Sequence, residues 1–191
     1  MLDANTYSGF VDLAASHSKG KDYDIFISPR SGSDVAIVAP HGGGIERGTS
    51  EIAEKIAGND FNLYLFEGLK QRDNYETLHL SSHLFDEPEC LSLISTMSVV
   101  VTIHGCNGKN ETVYLGGLNE SLKDELVTAF KSGGISAVSE GHKYPGKHPN
   151  NICNRGLTNA GVQVELTDTL RGTEAEKTVV KAIRNVLLKQ V

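Results

Sequence analysis

The sequence predicts a three-layer α/β/α domain on a mixed, mostly parallel sheet. Three observations carry this. Short runs of β-branched and aromatic residues alternate with amphipathic helical stretches along the chain, as expected when helices pack on both faces of a sheet. The 191 residues suit one hydrophobic core, since domains commonly hold about 100–200 residues. No repeat, low-complexity tract or Pro/Gly-rich linker divides the chain, so 1–191 reads as a single domain.

The elements follow in order. Residues 24–28 (DIFIS) and 34–39 (DVAIVA) are strand-like and separated by PRSGS, which predicts a hairpin. Residues 48–57 (GTSEIAEKIA) place Ile52 and Ile56 at helical spacing, with acids early and Gly58 as a stop. Residues 61–66 (FNLYLF) form the next strand, 88–97 a helix, and 98–103 (SVVVTI) a buried strand. After a strand at 112–115, residues 119–131 carry Leu122, Leu126, Val127 and Phe130 on one helical face, closed by Gly133-Gly134. A short strand is expected at 135–138, a strand at 162–166 (VQVEL), and a closing helix over 174–188. Residues 139–161, rich in Gly, Pro, Asn, His and Lys, read as a long loop; such loops in compact domains are usually functional.

Composition narrows the function. A net charge of −6 gives no general attraction to nucleic acid or anionic membranes, and no apolar run approaches the ~20 residues a membrane-spanning helix needs. Three cysteines without a CxxC pair suit a reducing compartment. Residues 1–20 lack a basic segment followed by an apolar run, so no signal peptide is read. Synthesis in the cytoplasm is expected.

Four clusters could do chemistry. In AIVAPHGGGIERG an apolar strand ends at His41, and Gly42–Gly44 let the backbone fold back so that Glu46 approaches the same point. The same glycines could instead cradle a phosphate. In VVVTIHGCNG a second apolar strand ends at His104. Two His at two strand ends plus one carboxylate match the His₂Glu set of a catalytic zinc site. Cys106 is expected to be a packed thiol on the sheet face opposite His104. Glu165 sits in the apolar strand VQVEL. It is either a surface carboxylate on an edge strand or a general base beside the metal. The loop KYPGKHPNNICNR carries Arg155, which can hold a carboxylate or an oxyanion, with Lys147 and Asn154 in support. His79 and His83 lie one helical turn apart and read as structural or substrate-contacting residues.

Taken together, APHGGGIERGTSEIA, LHLSSHLFDEP, VVVTIHGC, YLGGLN and HPNNICNRG followed by GVQVEL, in this order over nearly the whole chain, resemble the poly-γ-glutamate hydrolases of bacteriophages and Bacillus. These are zinc enzymes similar in fold to the carboxypeptidase A-like peptidases. The resemblance implies a zinc-dependent endo-hydrolase of γ-glutamyl amide bonds, with His41, Glu46 and His104 as ligands and Glu165 as the base. Arg155 is expected to act with Glu165 as a catalytic residue, and because the polymer keeps an α-carboxylate on each residue, Arg47, Arg72, Lys147 and Asn154 are the expected substrate contacts. The polymer is the expected partner, the protein acting as a monomer with no nucleic acid or membrane. In a phage setting, release by host lysis would bring it to the host capsule. The rival readings are a zinc N-acetylmuramoyl-type amidase acting on peptidoglycan, a non-catalytic polyanion-binding module, and a cysteine hydrolase using Cys106 and His104.

Overall fold

In a computed structural model that describes residues 6–190, successive strand residues face opposite sides of the sheet and sort the apolar side chains into two cores. The strands are β1 (Tyr23–Ser28), β2 (Val35–Gly43), β3 (Asn62–Gly68), β4 (Val99–Cys106), β5 (Thr112–Gly117), β6 (Ser136–Val138) and β7 (Val162–Thr167). They form one sheet in the order β1-β3-β2-β4-β7-β5-β6. The β1–β3 and β5–β7 pairs are antiparallel and the others parallel, as the mixed, mostly parallel expectation requires.

The helices are α1 (Phe10–Ser16), α2 (Thr49–Ala57), α3 (Asn74–Leu78), α4 (Pro88–Ile94), α5 (Glu120–Ser132) and α6 (Glu174–Leu187). One face of the sheet presents Val35, Ile37, Val101, Ile103 and Val164 to Ile52, Leu126, Phe130 and Ile183 of α2, α5 and α6. The other presents Ala36, Val38, Tyr64, Phe66 and Val100 to Leu13 of α1, Leu78 of α3, and Cys90 and Ile94 of α4. Three layers result. On the second face Glu87 is buried and caps α4, accepting from Glu89 N at 3.1 Å and Cys90 N at 2.7 Å, while Tyr64 Oη donates to it at 2.8 Å.

The hairpin expected from 24–28 and 34–39 does not form. β1 pairs with β3, and β3 lies between β1 and β2. β2 is buried through nearly its whole length, so it is favoured inside the sheet, between β3 and β4, with both of its edges paired. The link from β1 crosses the start of β3, where Asn62 binds it. Arg30 N donates to Asn62 Oδ1 at 2.8 Å, and Asn62 Nδ2 donates to Ser33 O at 2.9 Å and Val35 O at 3.0 Å.

The other expected elements stand with small shifts. The strand predicted over 98–103 runs on to Cys106, and the helix over 88–97 ends at Ile94. The short helices α1 and α3 were not anticipated. The 139–161 segment contains a buried 3₁₀ turn, Ile152–Arg155. Residues 1–5, part of the segment read as lacking a signal peptide, lie outside the described residues. Among the described residues no helix is long and apolar enough to cross a membrane.

Candidate metal centre

A backbone irregularity brings His41 to the site. Val35, Ile37 and Ala39 face the first core, so period-two alternation would send His41 there as well. The pairing of β2 with β3 shifts register between Ala39 and Gly42, and a bulge of this kind reverses which face the following residues occupy. His41 therefore meets His79 and Phe85 on the second face, with ring centroids 4.1 and 6.4 Å away. Gly43, at φ 59°, lets the chain turn back, and Glu46 N donates to His41 O at 2.9 Å. The carboxylate of Glu46 thus returns to the imidazole five residues earlier.

His104 needs no such device. Val101 and Ile103 face the first core, so His104 points to the second. His41 Nδ1 lies 3.0 Å from Glu46 Oε1 and 3.1 Å from His104 Nδ1. Gly105 N donates to Glu46 Oε2 at 2.7 Å. One ligand atom from each of His41, Glu46 and His104 falls within 4.8 Å of the others, and all three residues are buried.

The donor set fits a metal ion. Leu80 O, 2.7 Å from His41 Nε2, can only accept, so Nε2 carries a proton and Nδ1 is the ring atom turned toward Glu46 and His104. Burial, and then the neighbouring His41, pull His104 down to about 3, leaving it a neutral imidazole. Burial would raise Glu46, but His41, His79 and His104 outweigh it and hold the carboxyl well below the usual range. Electron-rich atoms converging in a dry site require positive charge among them. Zinc–nitrogen bonds of about 2.0–2.1 Å in a tetrahedral shell place two ligand nitrogens about 3.3 Å apart, close to the spacing found.

Glu165 lies opposite His104 across the β4–β7 ladder, buried and facing the same side. Burial raises its carboxyl well above the usual range, and the charge of Glu46 raises it further. A hydrogen bond from Gln163 Nε2 at 2.8 Å opposes this, as do the charges of Arg171 and Lys143. β7 is an interior strand, so Glu165 is not a surface residue.

Cys106 corrects an expectation. β4 continues through Cys106, and residues two apart on a strand share a face, so the thiol lies on the side of His104. Burial pushes it up to about 11, against the opposing effect of the neighbouring Tyr144 hydroxyl. A protonated thiol is a poor nucleophile, which weakens the cysteine-hydrolase reading.

The remaining candidates are scattered. Arg47 is exposed beside Glu46. Arg72 is 90% exposed and lies 3.8 Å from Asp73. Lys147 is exposed, and its charge reaches Glu120. The charge of Arg155 is felt at Cys90, under α4. Asn154 is buried, accepting from Leu118 N at 3.1 Å and Gly161 N at 3.2 Å and donating to Gly146 O at 2.8 Å and His148 O at 3.0 Å. His79 Nε2 approaches Glu46 Oε1 at 3.7 Å, whereas His83 turns outward to His148, ring centroids 5.3 Å apart.

Sequence reasoning missed Arg171 and Gln163. Arg171 Nη1 is buried without a hydrogen-bond partner and fills the space a side chain at Gly105 would need. No motif marks Arg171, but the two-residue spacing of Gln163 from Glu165 was visible.

Residues 7–185 match the poly-gamma-glutamate hydrolase family. The chain belongs to that family. It is similar to the Bacillus subtilis (strain 168) protein YmaC, 39% identical over 165 residues that cover 85% of this chain and 69% of YmaC. It is 34% identical to YndL of the same strain, over 87% of this chain and 66% of YndL, so it spans about two thirds of these relatives' length. Among solved structures, a bacteriophage poly-gamma-glutamate hydrolase superposes with TM-score 0.91 at 28% identity, covering 96% of this chain and 97% of that one. A zinc-free YndL superposes with TM-score 0.88 at 30% identity, covering 96% and 98%. The architecture is thus the zinc carboxypeptidase-like one expected. An N-formylglutamate amidohydrolase from Ralstonia eutropha JMP134, at 9% identity and TM-score 0.55, shares the fold alone.

Proposed function

We propose that the protein is a zinc-dependent endo-hydrolase of the γ-glutamyl amide bonds of poly-γ-glutamate. The observation that carries this is the convergence of His41, Glu46 and His104 in a chain of the poly-gamma-glutamate hydrolase family. The zinc-free form of the similar YndL points to zinc as the metal.

His41, Glu46 and His104 would hold the ion, with the Leu80 carbonyl fixing the His41 tautomer. When bound, zinc supplies Lewis acidity toward a carbonyl and toward water. Glu165 takes a proton from the attacking water and returns it to the departing amine, so that water adds across the C–N bond. Positive charge at the ligands offsets the share of Glu46 in raising Glu165. The charge of Arg171 favours the ionised forms of both Glu165 and Cys106, which helps to keep Glu165 available as a base. Arg47 and Arg72 are exposed for α-carboxylates further along the polymer, as is Lys147. Asn154 acts by shaping the loop. The biological reading is degradation of the capsule polymer by a monomer freed by lysis.

The test pairs metal content with viscosity of a poly-γ-glutamate solution. One zinc per chain, with viscosity loss that a chelator stops and zinc restores, is expected. Zinc without viscosity loss, combined with peptidoglycan cleavage, would move the substrate to the rival amidase reading. Polymer binding without metal or turnover would overturn the enzyme.

A further inference from the structure

The 139–161 loop reaches Glu165 through two buried amides. Gln163 precedes Glu165 by two residues and shares its face of β7. Its Nε2 donates to Glu165 Oε1 at 2.8 Å, and its Oε1 accepts from Asn151 Nδ2 at 2.7 Å. Gln163 and Asn151 are each 5% exposed, so water does not compete for these bonds. An amide has a donor end and an acceptor end. Were Gln163 turned over, its carbonyl oxygen would face the Glu165 carboxylate, and two acceptors would meet in a dry site. Asn151 decides which end faces Glu165, because its own donor is committed to Gln163. Its acceptor is committed to Cys153 N at 3.1 Å, which holds it against the 3₁₀ turn.

The loop is seated where this matters. Gly116 pairs with Gln163 across β5 and β7, and a side chain there would collide with Tyr144 O and Pro145. The absent side chain lets residues 144–146 lie on the sheet beside Gln163. A side chain at Gly146 would likewise crowd Gly117 N and Gln163 Oε1.

We propose that Gln163 is a positioning residue for Glu165 and that Asn151 sets its orientation, so that the seated loop is part of the apparatus that aims the base. This rests on Glu165 acting as the base. An enzyme with such a relay is competent only when the loop is docked.

The experiment compares Q163L, N151D, the double variant and E165Q in the zinc-loaded full chain, with hydrogen exchange of the Gln163 side-chain amide in the metal-free protein. The N151D change keeps the acceptor for Cys153 N and loses the donor. Gln163 is then expected to turn its amide toward the new carboxylate. Q163L and N151D should each lower kcat about 10- to 100-fold with little change in KM or zinc content, the usual effect of losing a group that orients a catalytic one. In the Q163L background N151D should add less than about twofold, since the two act in series. The Gln163 amide protons should exchange slowly in the wild type and stay slow in N151D, where the new carboxylate accepts them; exchange at least about tenfold faster in N151D would show that the amide has not turned over and would overturn the part given to Asn151. Wild-type kcat in Q163L and N151D beside an inactive E165Q would overturn the relay and leave the base in place. Full additivity in the double variant would also overturn it. An active E165Q would remove the base and with it the relay's catalytic role.

Discussion

Replacing Glu165 with Gln should remove turnover and stabilise the metal-free protein. The carboxylate is 6% exposed, receives a hydrogen bond from Gln163, and shares its surroundings with the charge of Glu46. Moving a carboxylate into such a place costs several kcal/mol after relaxation, and a hydrogen bond to a charged group returns about 1.5–3 kcal/mol. The remainder, on the order of 1–3 kcal/mol, disappears when a neutral amide of the same shape replaces the carboxylate and still accepts from Gln163. The pH dependence follows from the direction of the shift. The folded carboxyl holds its proton more tightly than the ordinary value of 4.5. The folded state therefore binds more protons, and stability falls as pH rises above that value. Urea denaturation of metal-free wild type and E165Q at pH 5 and pH 7 should show a gain for the variant at pH 7 that narrows at pH 5. Zinc-loaded E165Q should lose about 10²–10⁴-fold in kcat with zinc still bound. A variant less stable than wild type at pH 7, or one that still cleaves the polymer, would refute this account of Glu165.

Three further outcomes are expected. Saturating zinc at about 100 times its Kd should stabilise the fold by about 2.7 kcal/mol, and H41A should abolish the gain in a thermal-shift titration. Because burial lifts the Cys106 thiol to about 11, from 9.0, its thiolate at pH 8 is about 100-fold scarcer than that of an ordinary thiol; iodoacetamide should label it correspondingly slowly at pH 8 and leave turnover intact. E87A should cost about 2–4 kcal/mol in urea unfolding, since it uncaps α4 and strands the Tyr64 hydroxyl among buried residues.

Much of this protein was legible because it depends on local pattern. The runs around Ile37, Leu65, Val101 and Val164 are apolar where the sheet buries them, and α5 shows its face through Leu122, Leu126 and Phe130. The His-Gly endings of two buried runs placed His41 and His104 at strand ends, and the glycines before Glu46 announced a reversal. The face of Cys106 was also legible, because β4 keeps strict alternation to its end.

Other features had no local sign. DIFIS and DVAIVA are strands in any reading, but β3 comes between them because the preference of β2 for the sheet interior emerges only with the whole sheet assembled. Arg155 stands in the donor-rich loop, yet its charge falls at Cys90, while a positive charge felt at Glu165 comes from Arg171, in a turn without a motif. Asn154 looks like a binding residue and is consumed by four backbone groups.

Alternation, helical period and glycine placement act within a dozen residues, so the sequence alone marked the layers, all the strands, the helices other than α1 and α3, and the three residues that converge at the candidate metal centre. Tertiary structure alone decided that His41 crosses to the face of His104, through the bulge between Ala39 and Gly42. It alone set Gln163 and Asn151 in line behind Glu165. Those outcomes depend on register between distant strands and on which loop docks where, and a shift of one residue in either would send the same side chains to opposite faces of the sheet.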